Sequence, residues 1–148
     1  MSSLLIEIHH IHKCLKIICD VEAEILDSSL LGLFKKKNFA GNEEMLDVVC
    51  RKLAELHTSV DEYLGSSNGI DCVICDSQDY IHALLLSTSK LIEINRGLAA
   101  NVSGKNYSMT SYKQDLKLFK ILQGQYSVIG NRMNANFRLY SNEINELG

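Results

Sequence analysis

Apolar residues recur along this chain at alternating steps of four and three, the spacing that gathers side chains on one face of an α-helix. Leu4, Ile8, Ile11, Leu15, Ile18 and Ile25 keep that rhythm, flanked by Leu5, Cys19 and Leu26, and predict a first helix from about residue 3 to about residue 33. The stretch "NFAGNEEML" breaks it: Gly41 supplies a turn, Asn42 an N-cap, and Glu43 and Glu44 suit the positive end of a helix dipole. Leu46, Val49, Leu53, Leu56, Val60 and Tyr63 carry a second helix to Gly65, after which "GSSNGID" reads as a polar loop. A third helix, opened by Asp71 or Ser77, holds Ile81, Leu84, Leu85, Leu91, Ile92, Leu98, Ala99 and Val102 and stops near "SGKN".

The fourth pattern is the longest: Tyr112, Leu116, Phe119, Leu122, Tyr126, Ile129, Met133, Phe137, Tyr140, Ile144 and Leu147. As one helix it spans roughly 55 Å at about 1.5 Å per residue, against roughly 34 Å for the second helix. Residues 131–148 must then project beyond the bundle or fold back, and Gly124 and Gly130, each costing about 1 kcal/mol in a helix interior, are the expected joints. The pattern therefore predicts an all-α fold, a single domain over residues 1–148 built as an antiparallel four-helix bundle with short loops.

Composition supports that class. There is no proline to interrupt long helices, and only 7% of residues are aromatic, which leaves little of the material that large sheets use. Five cysteines, an odd number, and no basic-then-apolar leader point to reduced thiols and a cytoplasmic location, so the sequons at Asn101 and Asn106 carry no glycan. No apolar run approaches the roughly 20 residues that cross a bilayer, so no membrane partner is expected. Residues 1–79 hold 14 acids and 7 bases, and residues 80–148 hold 4 and 8. Such halves attract when folded together, which makes nucleic acid the lesser explanation of the basic half.

The most conspicuous chemistry is "EIHHIHKC", residues 7 to 14. With Ile8 at zero and about 100° per residue, His12 falls at about 40°, His9 at about 100°, His10 at about 200° and Cys14 at about 240°. Ligands so spread cannot converge on one ion at the roughly 2.0–2.3 Å that zinc requires. Glu7 with His10, and Asp79 with His82, give the spacing used by di-metal bundles, but off the core stripe. No metal site or cofactor is therefore assigned. Glu22 is more unusual, because it falls inside the apolar stripe and as a buried carboxylate needs a partner: either a base of the C-terminal half, such as Arg96 or Lys117, or another chain at a place where the bundle opens.

Cys72-Val-Ile-Cys75 lacks both the preceding strand of a redox motif and the second cysteine pair of a zinc site. Gly97 to Lys105 is not a phosphate loop, because six residues separate its glycines and Asn106 stands where a hydroxyl residue would hold magnesium. Arg51 and His57, with five residues between them, resemble the motif of the helical HEPN ribonucleases, in which Arg51 would stabilise phosphate charge and His57 would act as acid or base.

The order of features over residues 10 to 130 resembles flagellar type III export chaperones of the FlgN kind. "LKIICDVEAEIL" leading to "LLGLFKKK" follows that family's N-terminal helix; "LIEINRGLAANVSG" and "LFKILQGQYSVIG" follow its later asparagine and its tyrosine beside glycine. The resemblance implies a chaperone in which Tyr126 through Phe137 hold a partner helix. The residues alone point the same way, since a stripe that outruns its neighbours takes a partner. The expected function is thus a non-enzymatic helical interaction protein, with Tyr126, Ile129, Met133, Phe137, Tyr140 and Ile144 buried against an amphipathic helix of another protein or of its own twin in a homodimer. The competing classes are a HEPN-like ribonuclease or toxin–antitoxin component, and a metal-binding bundle.

Overall fold

The computed structural model describes residues 3–27 and 37–147. In chain order it forms α1 (Ser3–Ile25), α2 (Phe39–Asp61), α3 (Asn68–Val102), α4 (Met109–Leu139) and the short α5 (Ser141–Glu146), with no strand among the described residues. The four long helices pack against one another as an all-α bundle, and their cross-links run antiparallel. Asn95 meets Phe39 while Gln78 meets Asp61. Lys90 meets Asp115 while Arg132 meets Asp76.

Local signals explain where the helices start. Asn38 accepts the Gly41 N–H at 3.0 Å, Ser67 the Ile70 N–H at 3.2 Å and Ser108 the Ser111 N–H at 3.0 Å, three side-chain N-caps. The second helix therefore begins ahead of Asn42, which is buried inside it rather than capping it. The third begins ahead of Asp71, whose carboxylate instead accepts the Gly65 N–H, while Ser77 turns its hydroxyl back onto the Val73 carbonyl. Gly65 and Gly104, at φ of 90° and 82°, make the left-handed turns that follow α2 and α3.

The first helix is shorter than its pattern predicts. It ends at Ile25, whose carbonyl accepts the Lys37 ammonium at 2.7 Å; residues 28–33 of the expected helix, with Lys35 and Lys36, lie outside the described residues. Its buried stripe is Leu4, Ile8, Ile11, Cys14, Ile18, Val21 and Ile25. Cys14 and Val21 take the places expected of Leu15 and Glu22, which sit half-buried at the stripe's edge.

The fourth helix runs unbroken through Gly124 and Gly130, contrary to the expected joints. Phe119, Tyr126 and Met133 bury one continuous face across both glycines, and fully burying such side chains is worth about 1.5–3 kcal/mol each, more than the glycines cost. Gly130 serves packing, since a Cβ there would stand 3.0 Å from the Tyr80 ring. The chain changes direction at Tyr140, whose ring lies flush against Gly69 and excludes any side chain there. Residues 131–139 thus complete α4, and α5 alone turns back, laying Ile144 into the core.

Candidate functional site

The six residues expected to hold a partner face the chain's own core. Tyr126, Met133 and Ile144 are buried, and Ile129, Phe137 and Tyr140 are half-buried against the same cluster. This corrects the expectation that their stripe is open. The neighbouring α3 is as long as α4, so the stripe never outruns its cover.

Glu22 is paired, though not with Arg96 or Lys117. Its side chain is 13% exposed and accepts from Gln123 Nε2 at 3.0 and 2.9 Å and from Lys120 Nζ at 3.2 Å. Arg96 instead holds Glu43 at 2.7 Å. These pairs, with Arg132 on Asp76 and Asp79, join the acidic half of the chain to its basic half. Beneath Glu22, Tyr80 and Tyr126 stand edge to face with centroids 6.2 Å apart. Burial, and then the neighbouring Tyr126 and Cys19, push the Tyr80 hydroxyl up to about 12. Burial likewise raises the Tyr126 hydroxyl and the Cys19 thiol. Each of these shifts favours the neutral form of its group.

The other candidates disperse. His9 and His12 are exposed and His10 half-buried; partial burial, and then His9, lower the His12 pKa. Cys14 faces the core, and its thiol is raised by burial. Cys72 and Cys75 carry free thiols on the first turns of α3. Among the described residues no three histidine, cysteine, aspartate or glutamate side chains gather to hold a metal. Arg51 and His57 are both exposed on α2, about 120° apart around the helix and about 9 Å apart along it. Arg51 shares a shallow depression with Val48, Lys52 and Glu55 that His57 does not reach. No described helix is long and apolar enough to cross a membrane.

What the core stripe does not use is a second apolar row on the outside of α4. Leu118, Ile121, Val128 and Leu139 are 48%, 49%, 70% and 71% exposed and recur with Gln125, Arg132 and Ala135 at helical spacing. Across from Val128 stands Leu86 of α3, 47% exposed. Between the two helices runs a groove of about 480 Å³ lined by Asp79, His82, Ala83, Leu86, Gln125, Val128 and Ile129. Ile129 is the one residue of the expected six that lines it. The signal for the rest was present in the sequence as a four-three row at 118, 121, 125, 128, 132, 135 and 139, displaced around α4 from the stronger core row.

Comparison of the chain with protein-family models, curated proteins and solved structures gave no match.

Proposed function

We propose that this chain is a non-enzymatic interaction protein that seats an amphipathic helix of another protein in the groove between α3 and α4. The observation that carries the reading is the groove in which exposed Val128 and half-buried Ile129 of α4 meet exposed Leu86 of α3, with exposed apolar residues continuing along α4 beyond it. A helix laid there adds a fifth rod to the bundle by the ridge-and-groove packing that joins its own four. Export chaperones of the FlgN kind are one form such a module takes, and the outline of residues 10 to 130 supports placing it in that class. The dispersal of Arg51 and His57 favours binding over catalysis.

Site-specific photocrosslinking in the native host tests the reading. A photoreactive residue at Val128 or Leu86 is expected to capture one discrete partner, and the same residue at Val48, an exposed apolar position on α2, is expected to capture none. Equal labelling at all three sites, or no adduct at Val128 and Leu86, would refute it.

A further inference from the structure

We propose that the face shared by α1 and α4 binds the phosphate backbone of a nucleic acid duplex through Lys113, Lys117 and Arg138, with Lys16 beside them. This face is separate from the groove between α3 and α4, and the inference is independent of what that groove holds.

Pairing between the acidic and basic halves of the chain uses only some of its bases. Arg96 answers Glu43, Lys120 answers Glu22, and Arg132 answers Asp76 and Asp79. Lys113, Lys117 and Arg138 remain exposed, and among the described residues none of them has an ion-pair partner. With Phe119 at zero and about 100° per residue, these three fall at about 120°, 160° and 100°, beside Lys120 at about 100°, which reaches α1. Ile129 and Arg132, which face α3, fall at about −80° and −140°. The unanswered bases of α4 therefore lie on the side that adjoins α1. They belong to an exposed row continued between Lys120 and Arg138 by Gly124, Ser127, Asn131 and Asn134, at alternating steps of four and three. α1 supplies a base in the middle of that row. Glu22 meets Lys120 and Gln123, and the Cys19 thiol and Tyr126 hydroxyl share a hydrogen bond, an antiparallel register that sets Lys16 about level with Ser127. Lys16 is 78% exposed and held only by Asp20 one turn away, the kind of surface pair that yields readily to a competing anion. The acids of α1 and α4 on this face, Asp20 and Glu22, each have a base of their own, so its surplus is positive in a chain whose net charge is −3.

The make-up of the row names the class of anion. It holds no apolar side chain from Lys113 to Arg138, which gives an amphipathic helix or a lipid chain nothing to bury. Phosphates need no apolar contact and are bound by lysine, arginine, serine and asparagine side chains, the residues this row is made of. Unstacked bases need aromatic platforms, and no aromatic side chain among the described residues is exposed, which favours a duplex over a single strand. From Lys113 to Arg138 the row is about 37 Å long, close to the roughly 34–36 Å of one duplex turn.

Fluorescence anisotropy with the full chain tests this, using labelled DNA and RNA duplexes of about 20 base pairs and the matching single strands. Duplex binding is expected in the micromolar range, alike for unrelated sequences, and about 40-fold weaker at about 200 mM than at about 50 mM salt, as three phosphate contacts require. Tighter binding of either the DNA or the RNA duplex supports the proposal and tells which source the face prefers. Each of Lys113→Gln, Lys117→Gln and Arg138→Gln is expected to reduce the slope of log affinity against log salt by about one. The triple variant is expected to keep its melting temperature and lose duplex binding by more than about tenfold. Arg51→Gln, at an equally exposed base on α2, is expected to change nothing. No duplex binding at low salt, or binding that the triple variant retains, would overturn the proposal. Stronger binding to the single strands, to phosphatidylserine vesicles or to polyglutamate would also overturn it, and would assign the face to unstacked bases, to lipid or to an acidic protein.

Discussion

Replacing Gly97 by alanine exposes how the α3–α4 connection is held. Gly97 lies within α3, where alanine in place of glycine favours the helix by about 1 kcal/mol. Yet a Cβ at this position would stand 2.6 Å from two carbons of the Tyr107 ring and 2.8 Å from a third. The ring has little freedom to retreat, because its hydroxyl donates to Asp115 at 2.7 Å and its edge meets Tyr112 with centroids 6.3 Å apart. Moving it loosens a hydrogen bond to a charged acceptor, worth about 1.5–3 kcal/mol, and an aromatic contact worth about 0.5–1.5 kcal/mol. The helix gain offsets only part of that loss, so Gly97→Ala is expected to destabilise by about 1–3 kcal/mol, lowering the melting temperature by about 2–4 °C for each kcal/mol. Gly124→Ala is the control: Gly124 is exposed with nothing within 4 Å of the added Cβ, and the change is expected to stabilise by about 1 kcal/mol. In a Tyr107→Ala background the clash is gone, and Gly97→Ala is expected to change sign and match Gly124→Ala. Urea unfolding followed by the helical circular dichroism signal measures all four variants. If Gly97→Ala stabilises the otherwise unaltered chain as much as Gly124→Ala does, the packing of Tyr107 on α3 is not as described.

Other perturbations separate packing from pairing. Tyr80 is buried with its hydroxyl pushed up to about 12 against the ordinary 10.0, so the unfolded chain loses this proton first. The stability Tyr80 supplies is complete below pH 10 and falls as pH rises toward 12, by up to about 3 kcal/mol; tyrosinate absorbance that rises with its ordinary midpoint, ahead of unfolding, would contradict it. Glu22→Ala strands the Gln123 amide and is expected to cost about 1–2 kcal/mol, whereas Lys120→Ala, which removes a half-exposed ammonium, is expected to cost under about 1 kcal/mol in the same urea titration. Asp76, with its side chain 8% exposed, accepts from both Arg132 and Asn136, so Asp76→Ala is expected to cost about 2–3 kcal/mol; Asp79→Ala, at an exposed pair, is expected to stay under about 1 kcal/mol. Equal costs for the two aspartates would mean that burial is not what gives the Asp76 pair its value.

Much of the fold was legible because helices write their buried face into a local rhythm. Leu46, Val49, Leu53, Leu56 and Val60 are core residues as their spacing predicts, as is Phe119, while Tyr126 and Met133, expected against a partner, belong to the same core. Helix starts were harder to read, because capping is a competition among several hydroxyl, amide and carboxylate residues within a few positions. Asn38 won over Asn42, and Ser67 over Asp71, through contacts that depend on the folded turn. Gly130 misled for a related reason. A glycine reads as a weak point along the chain, while its use here is the space it leaves for the Tyr80 ring of another helix, which no local pattern records. Glu22 was correctly singled out as needing a partner, but which base reaches it depends on the register of α4 against α1.

The candidate site was missed because one helix carries two apolar rows and the stronger row hides the weaker. The row through Phe119, Tyr126 and Met133 accounts for the bundle, since those side chains are all but removed from water. The row through Leu118, Ile121 and Val128 contributes little to it, since each of these is about half exposed or more; the fold would be served as well by polar residues there, as at Lys113 and Lys117 on the adjoining flank. Apolar side chains left in water beside a groove gain only when something covers them. Partner affinity at this surface is therefore expected to reside in Val128 and Leu86, whose replacement by polar residues leaves the core row through Phe119, Tyr126 and Met133 untouched.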